Sequence, residues 1–253
     1  MGSRVNCLTL DNVDNLWIGT NSDLQFFDGY KMTKYSQYVP EGATVNAIGI
    51  DKDKRVWVCT SSGVLIKADE SWMLLTKGSD YDLLDNDNKS ITRDGAGRMW
   101  LGTISGIQVG NAFSYYAEYF SSNMNLGREI SDYIQDIAVD KKGIIWAVHK
   151  TGAKKGGITR FDGLNWSLFN FTGIYSGSYI ETNKIYIDKN NNKWFCTNDG
   201  LFRYSDTNEW IYFSTSNSGL PASQVMDCSF DKNENLWIIT LGGGLAKLKK
   251  GNF

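Results

Sequence analysis

A chain of 253 residues with 42% hydrophobic and 13% aromatic content has the material for a large packed core, which excludes a disordered protein. A formal net charge of −2 offers no basic face for nucleic acid. No apolar run approaches the roughly 18 residues of a membrane span.

Four cysteines, Cys7, Cys59, Cys196 and Cys228, show neither CxxC nor metal-ligand spacing, so they read as small buried thiols rather than a zinc site. Nothing in the composition calls for a cofactor. Met1-Gly2-Ser3 reads like a cloning scar, so the N-terminus gives no compartment.

Taken in order, the chain opens on an alternating strand, Val5 to Leu10, ending at Asp11. A polar turn, Asn12 to Asn15, leads to a strand over Leu16–Thr20, a third over Leu24–Phe27 and a fourth predicted over Lys31–Tyr38. Short apolar runs bounded by Asn, Asp and Gly are strand and hairpin signals. The same order returns five times, giving units at about 5–38, 45–76, 88–120, 134–170, 183–214 and 225–253. The fourth unit carries an insertion, Lys150 to Gly156, and the sixth stops before most of its outer strand. Exposed strand edges there would invite pairing with another chain.

One signature marks every unit: an Asp six residues before a Trp. The pairs are Asp11/Trp17, Asp51/Trp57, Asp94/Trp100, Asp140/Trp146, Asp188/Trp194 and Asp231/Trp237, with Trp spacings of 40, 43, 46, 48 and 43. A period in the forties with β-type content predicts an all-β, six-bladed propeller of four-stranded antiparallel blades, the last lacking its outer strand, in one domain over residues 1–253. Asp opening a tight hairpin can accept backbone N–H groups two residues on, and a large flat Trp fills the wedge between blades. Thr20, Thr60, Thr103, Thr197 and Thr240, three after the Trp, are placed to bond the next turn, where Gly63, Gly106, Gly152, Gly200 and Gly243 stand six after it. Runs such as Asp188 to Asn192 lack the Gly and Glu of a calcium loop, so no metal is expected.

The stretches "LTLDNVDNLWIGT", "ITRDGAGRMWLGTISGI" and "IYIDKNNNKWFCTNDGLFRY", with the linker "NSGLPASQV", resemble the two-component regulator propeller repeat. The resemblance runs along nearly the whole chain. It implies an extracytoplasmic, periplasmic or secreted, module of a bacterial hybrid sensor or of a free-standing relative, often tied to polysaccharide sensing. Departures are His149 where Thr is usual, and Met32 and Phe113 where the outer strand prefers Trp.

The fold does not give the function. In a propeller the first strand of each blade lines the central channel. Eleven residues before each Trp stand Asn6, Asn46, Lys89, Gln135, Asn183 and Met226; one further on come Asp136, Lys184 and Asp227 among others. Loops above add Tyr38, Tyr81, Tyr133, Tyr175 and Tyr179. Amides, mixed charges and aromatics suit a neutral polar ligand such as an oligosaccharide. The candidate site is therefore Asn46, Lys89, Gln135, Asp136, Lys184, Asp227, Tyr81, Tyr133 and Tyr179, with solvated loops around a water-filled channel as the plainer reading.

His149 is the single histidine. It has no evident Ser, Cys or second His with which to build a triad or a metal site, so a non-enzymatic binding module is expected. Streptogramin lyases are propellers on somewhat similar repeats, but the chemistry of that group leans on histidine, which is scarce here. Asp136 and Asp227 could serve as an acid–base pair only if the fold brought them together. A third class is a protein-binding scaffold, or a dimer, using a propeller face or the open blade edge.

Overall fold

The computed structural model describes residues 4–79, 82–112, 114–119, 122–126, 130–152, 154–169, 171 and 180–249. Blade 1 comprises β1 (Val5–Leu10), β2 (Leu16–Thr20), β3 (Leu24–Phe27) and β4 (Met32–Lys34). Blade 2 is β5 (Val45–Ile50), β6 (Val56–Thr60), β7 (Gly63–Ala68) and β8 (Ser71–Leu75). Blade 3 is β9 (Asn88–Arg93), β10 (Met99–Thr103), β11 (Gly106–Asn111) and β12 (Ser114–Tyr119). Blade 4 is β13 (Ile134–Val139), β14 (Ile145–His149), β15 (Gly157–Phe161) and β16 (Trp166–Phe169). Blade 5 is β17 (Thr182–Ile187), β18 (Lys193–Thr197), β19 (Gly200–Tyr204) and β20 (Trp210–Phe213). Blade 6 has three strands, β21 (Val225–Phe230), β22 (Leu236–Thr240) and β23 (Gly244–Leu248). Each sheet keeps chain order from inner to outer strand. The fold is the all-β, six-bladed propeller with a three-stranded last blade that the repeat predicts.

The chain divides into two compact units, residues 1–123 with 132–137, and residues 124–131 with 138–253. Within each, the core sits at blade junctions. In the first unit one cluster joins Trp17 and Leu24 to Val45, Val56 and Val58, and another joins Trp57 and Val64 to Met99 and Leu101. In the second, Trp146 and Ile158 pack on Ile185 and Phe195, and Trp194 and Leu201 on Val225 and Ile238. A small residue two after the Trp serves this packing: a Cβ on Gly102 would meet Ser90 Oγ and Ile134.

The six-residue spacing has a cause beyond turn formation. The Trp indole Nε1 donates to the Asp Oδ2 in blades 2 to 6, at 3.0, 2.9, 3.2, 2.9 and 3.1 Å. Oδ1 of the same Asp accepts the backbone N–H groups two and four residues on, as Asp51 does from Asp53 and Arg55. One carboxylate thus closes the hairpin and fixes the indole. Blade 1 is the exception: Asp11 takes the turn bonds and Asn15 Nδ2, while Trp17 Nε1 is buried without a hydrogen-bond partner.

The Thr bonds follow expectation. Thr60, Thr103 and Thr197 donate to the carbonyls of Gly63, Gly106 and Gly200, glycines at φ +125°, +137° and +101°. Blade 6 slips by one residue: Thr240 pairs with and donates to Gly244 (φ +74°), not Gly243. In blade 4, Gly152 lies inside the insertion and Gly157 opens the third strand instead. The fourth strand of blade 1 is also shorter than predicted. It ends at Lys34 and gives way to a 3-10 turn over Ser36–Tyr38. Tyr35 then stacks on Trp17 and Tyr38 on Trp72, centroids 5.5 and 4.7 Å apart. Aromatic stacking across the junction wins over continued strand pairing.

Candidate functional site

The inner strands carry a regular irregularity. In blades 1, 2, 3, 5 and 6 the pairing of inner and second strand shifts by one residue near the start, between Val5/Cys7, Val45/Ala47, Gly102/Thr103, Thr182/Lys184 and Val225/Asp227. The extra residues are Asn6, Asn46, Lys89, Asn183 and Met226. A β-bulge re-aims a side chain, and three of these amides turn to a neighbouring blade. Asn6 Nδ2 donates to Val45 O (3.1 Å), Asn46 Nδ2 to Asn88 O (2.8 Å) and Asn183 Nδ2 to Val225 O (2.7 Å). The amide column therefore clasps blades together, Asn46 included.

Lys89 behaves differently. Its Nζ lies 2.7 Å from Asp87 Oδ1 and 5.8 Å from the centroid of Tyr133. Asn46 Nδ2 also reaches Asp87 Oδ1, at 3.3 Å. The first unit thus gathers Asn46, Asp87, Lys89 and Tyr133 around one partly exposed cation. Asp87 was not singled out from the sequence; its proximity follows from the bulge at Lys89. Gln135 is half-buried and Asp136 buried on the same short segment as Tyr133. Lys184 and Asp227 belong to the second unit; Lys184 is half-buried, while Asp227 is exposed and accepts the N–H of Cys228 at 2.8 Å. Tyr81 and Tyr179 lie outside the described residues, as does Tyr175. Tyr38 is engaged by Trp72.

His149 is buried at 1% exposure. Its Nδ1 is 2.6 Å from Ser131 O and its Nε2 2.8 Å from Thr159 Oγ1. A carbonyl only accepts, so Nδ1–H donates to Ser131 O, and in the neutral ring Nε2 accepts the Thr159 hydroxyl proton. His149 pairs with Gly157 in the register that Thr60 keeps with Gly63, but its longer side chain reaches past that turn to Ser131 and Thr159. Ser131 N completes the tie by donating to Lys155 O at 2.9 Å.

Asp51, Asp94, Asp206 and Asp231 have pKa values shifted down. Burial pushes Asp51 and Asp94 up, but the bonds from Trp57 and Arg55, and from Trp100 and Arg98, outweigh it. Asp231 is held well below the usual range chiefly by the Asn235 amide. Asp206 falls to about 2, first through Lys142 and then Asn191. Burial raises the Cys59 thiol and the Tyr186 phenol. Among the described residues no group of three or more His, Cys, Asp or Glu is placed to hold a metal ion.

A second column escaped the sequence reading. Directly opposite the Trp on the third strand stand Phe26, Ile66 and Val109 in blades 1 to 3, but Arg160, Arg203 and Lys247 in blades 4 to 6. The residues are visible in the sequence, and the pairing register of the second and third strands aligns them with the Trp.

The two component regulator propeller family model matches residues 1–22, so the resemblance read from the repeats is borne out in the first of them. No curated protein matches the chain. Among solved structures, the fold is similar to the extracellular domain of the putative hybrid two component system BT3049 from B. thetaiotaomicron, with TM-score 0.81 and 23% identity over 98% of this chain and 34% of that one. It is also similar to virginiamycin B lyase from Staphylococcus aureus, solved as an inactive variant with quinupristin: TM-score 0.76, 16% identity, 99% of this chain and 83% of that one. PorZ, a bacterial surface component of the type-IX secretion system of Porphyromonas gingivalis, matches with TM-score 0.71 and 20% identity over 97% of this chain and 39% of that one. The chain spans about a third of the length of the sensor domain it resembles. At these identities the likeness is one of fold. No helix among the described residues is long and apolar enough to cross a membrane.

Proposed function

We propose that residues 1–253 serve as one non-enzymatic recognition domain of the extracytoplasmic sensor type, taking a neutral polar ligand such as an oligosaccharide at the Lys89 face. The observation that carries the reading is the Lys89 Nζ held between Asp87 and the Tyr133 ring. An aromatic face beside a fixed donor and acceptors suits a sugar's ring and hydroxyls. The fold likeness to an extracellular sensor domain supports the sensor assignment. Two observations weigh against lyase-type chemistry. His149 is sealed between Ser131 and Thr159. The carboxylates of the turn signature, Asp51 and Asp94, move away from the near-neutral values that acid–base work needs.

Thermal shift against neutral oligosaccharides tests the reading, since a ligand that binds only the folded state raises the midpoint. One glycan class is expected to raise it, and Lys89→Ala combined with Tyr133→Ala is expected to abolish the shift. An undiminished shift in that double variant sinks the assignment.

A specific observation favours a second reading, docking of another protein. The residue paired opposite the second position after the Trp is buried in blades 1 to 5, with Leu24, Val64, Ile107, Ile158 and Leu201 at 0–1% exposure, whereas Leu245 in blade 6 is 63% exposed. Ile239 beside it is 49% exposed as well. Such apolar sheet faces fit a second copy of this chain. Light scattering decides it: Leu245→Glu must lower the mass of any oligomer formed.

A further inference from the structure

Within the second unit, the junction of blades 5 and 6 leaves a cleft of about 480 Å3 at the hairpin end of the blades. Tyr186, Trp194 and Phe230 line it. Phe230 lies 5.8 Å from Tyr186 and 5.4 Å from Trp194, centroid to centroid. Arg203 lines it too, its guanidinium carbon 5.7 Å from the Trp194 ring. The Nε of Arg203 is buried and has no hydrogen-bond partner.

The carboxylates around the cleft and Lys189 are engaged, while the exposed Lys232 also lines it. Asp188 accepts from Asn190 N, Asn192 and Trp194 Nε1. Asp231 accepts from Asn233 N, Asn235 and Trp237 Nε1. Lys189 of blade 5 pairs with Glu234 of blade 6 across the rim. A buried guanidinium N–H left without an acceptor is costly; the Nε is closed off, while the half-buried Arg203 side chain still lines the cleft.

Other junctions show why the cleft forms here. Blades 1 and 2 put Phe26 and Ile66 where Arg203 stands, opposite Trp17 and Trp57. Both are absorbed into the packing of those junctions. In blade 4, Arg160 Nε donates to Ser167 Oγ, and Lys193 lies over Trp146. Arg203 has neither an apolar substitute nor a hydroxyl partner at its Nε.

We infer that this cleft is a second binding site, for a ring compound carrying a carboxylate, such as a uronic acid unit. The ring lies against the half-buried Tyr186 and Phe230, with the fully buried Trp194 backing Phe230 and the Arg203 guanidinium, and the carboxylate accepts from Arg203, whose planar fork matches it. Inorganic sulfate shares the guanidinium contact but cannot use the aromatic side chains.

The test is calorimetric titration of the full chain with trigalacturonate, its neutral counterpart galactotriose, and inorganic sulfate. Trigalacturonate is expected to bind at least about tenfold more tightly than either of the others. Arg203→Met is expected to weaken it at least about tenfold while leaving the thermal midpoint at or above wild type, because an unsatisfied buried donor is removed. A purely structural arginine would lower the midpoint instead. Arg203→Lys, which keeps the charge and loses the fork, supplies the same comparison should the Met variant fail to fold, and is expected to weaken binding as well. Arg160→Met, at the same register opposite the Trp in blade 4, is expected to leave trigalacturonate affinity unchanged. The inference is overturned if wild type does not bind trigalacturonate, if sulfate or galactotriose binds equally well to a Lys89→Ala, Tyr133→Ala variant that lacks the face in the first unit, or if the Arg203 variant that folds binds as wild type.

Discussion

The first three blades and the last three are built on one plan and finished differently. Opposite each Trp, the first unit places Phe26, Ile66 and Val109, while the second places Arg160, Arg203 and Lys247. One residue before the Trp, the first unit has Leu16, Val56 and Met99, while blade 5 of the second has Lys193. Lys193 is 3% exposed and reaches Asp140 Oδ2 at 3.1 Å, Asp206 Oδ1 at 3.3 Å and Asn191 O at 2.8 Å. The reason lies in blade 4. Every other Asp of the signature receives an Arg or Asn side chain from four residues on, as Asp94 does from Arg98 and Asp188 from Asn192. Blade 4 has Ile144 there, and Lys193 from the next blade takes the place. Opposite the Trp the first unit uses hydrocarbon; the second keeps apolar junction cores but adds charge at that position, and Arg203 with its unpartnered Nε lines a cleft.

That contrast can be broken most directly at Lys193. Lys193→Met removes one member of a buried pair and is expected to cost about 3 kcal/mol by denaturant unfolding. Met99→Leu at the matching position of blade 3 is expected to cost less than about 1.5 kcal/mol. Equal losses would mean that Lys193 acts only by filling space.

The Asp–Trp bond gives the next largest effect. Trp100→Phe strips Asp94 of a donor, whereas Trp17→Phe removes an indole N–H that has no partner. The two changes delete the same atoms, so their difference isolates the bond, at about 1.5–3 kcal/mol. Indistinguishable midpoints would show that the spacing serves packing alone.

His149→Thr restores the residue usual at its position but cannot reach both Ser131 O and Thr159. A loss of about 1–2 kcal/mol is expected, with earlier proteolysis in the insertion at 150–156. An unchanged cleavage pattern would separate the ring from that loop.

The smallest effect comes in acid. Asp51 and Asp94 have folded-state pKa values below the ordinary 3.8. Their contribution is complete above that value and is lost as pH falls through the lower folded-state values. The melting midpoint should therefore hold down to about pH 4 and decline below it. Asp51→Asn should flatten part of that decline; an unaltered profile would assign it to other groups.

Much of the fold was legible because each blade is a local object. An Asp, a four-residue turn and a Trp six positions on are held by bonds spanning two, four and six residues, so the sequence reports them directly. The sequence by itself determined the number of blades, the strand order and the short last blade. The site was less legible because its geometry rests on contacts between blades. Asn46 looked like a channel amide until a bulge turned it to Asn88, 42 residues away. Asp87 joined Lys89 and Tyr133 only through the bulge at Lys89, and Lys193 found Asp140 on a neighbouring blade. The slip in blade 6 moved the turn from Gly243 to Gly244. These were decided by the tertiary structure alone. Side-chain direction depends on bulge position and strand register, and both are settled by packing between blades rather than by any local run of residues.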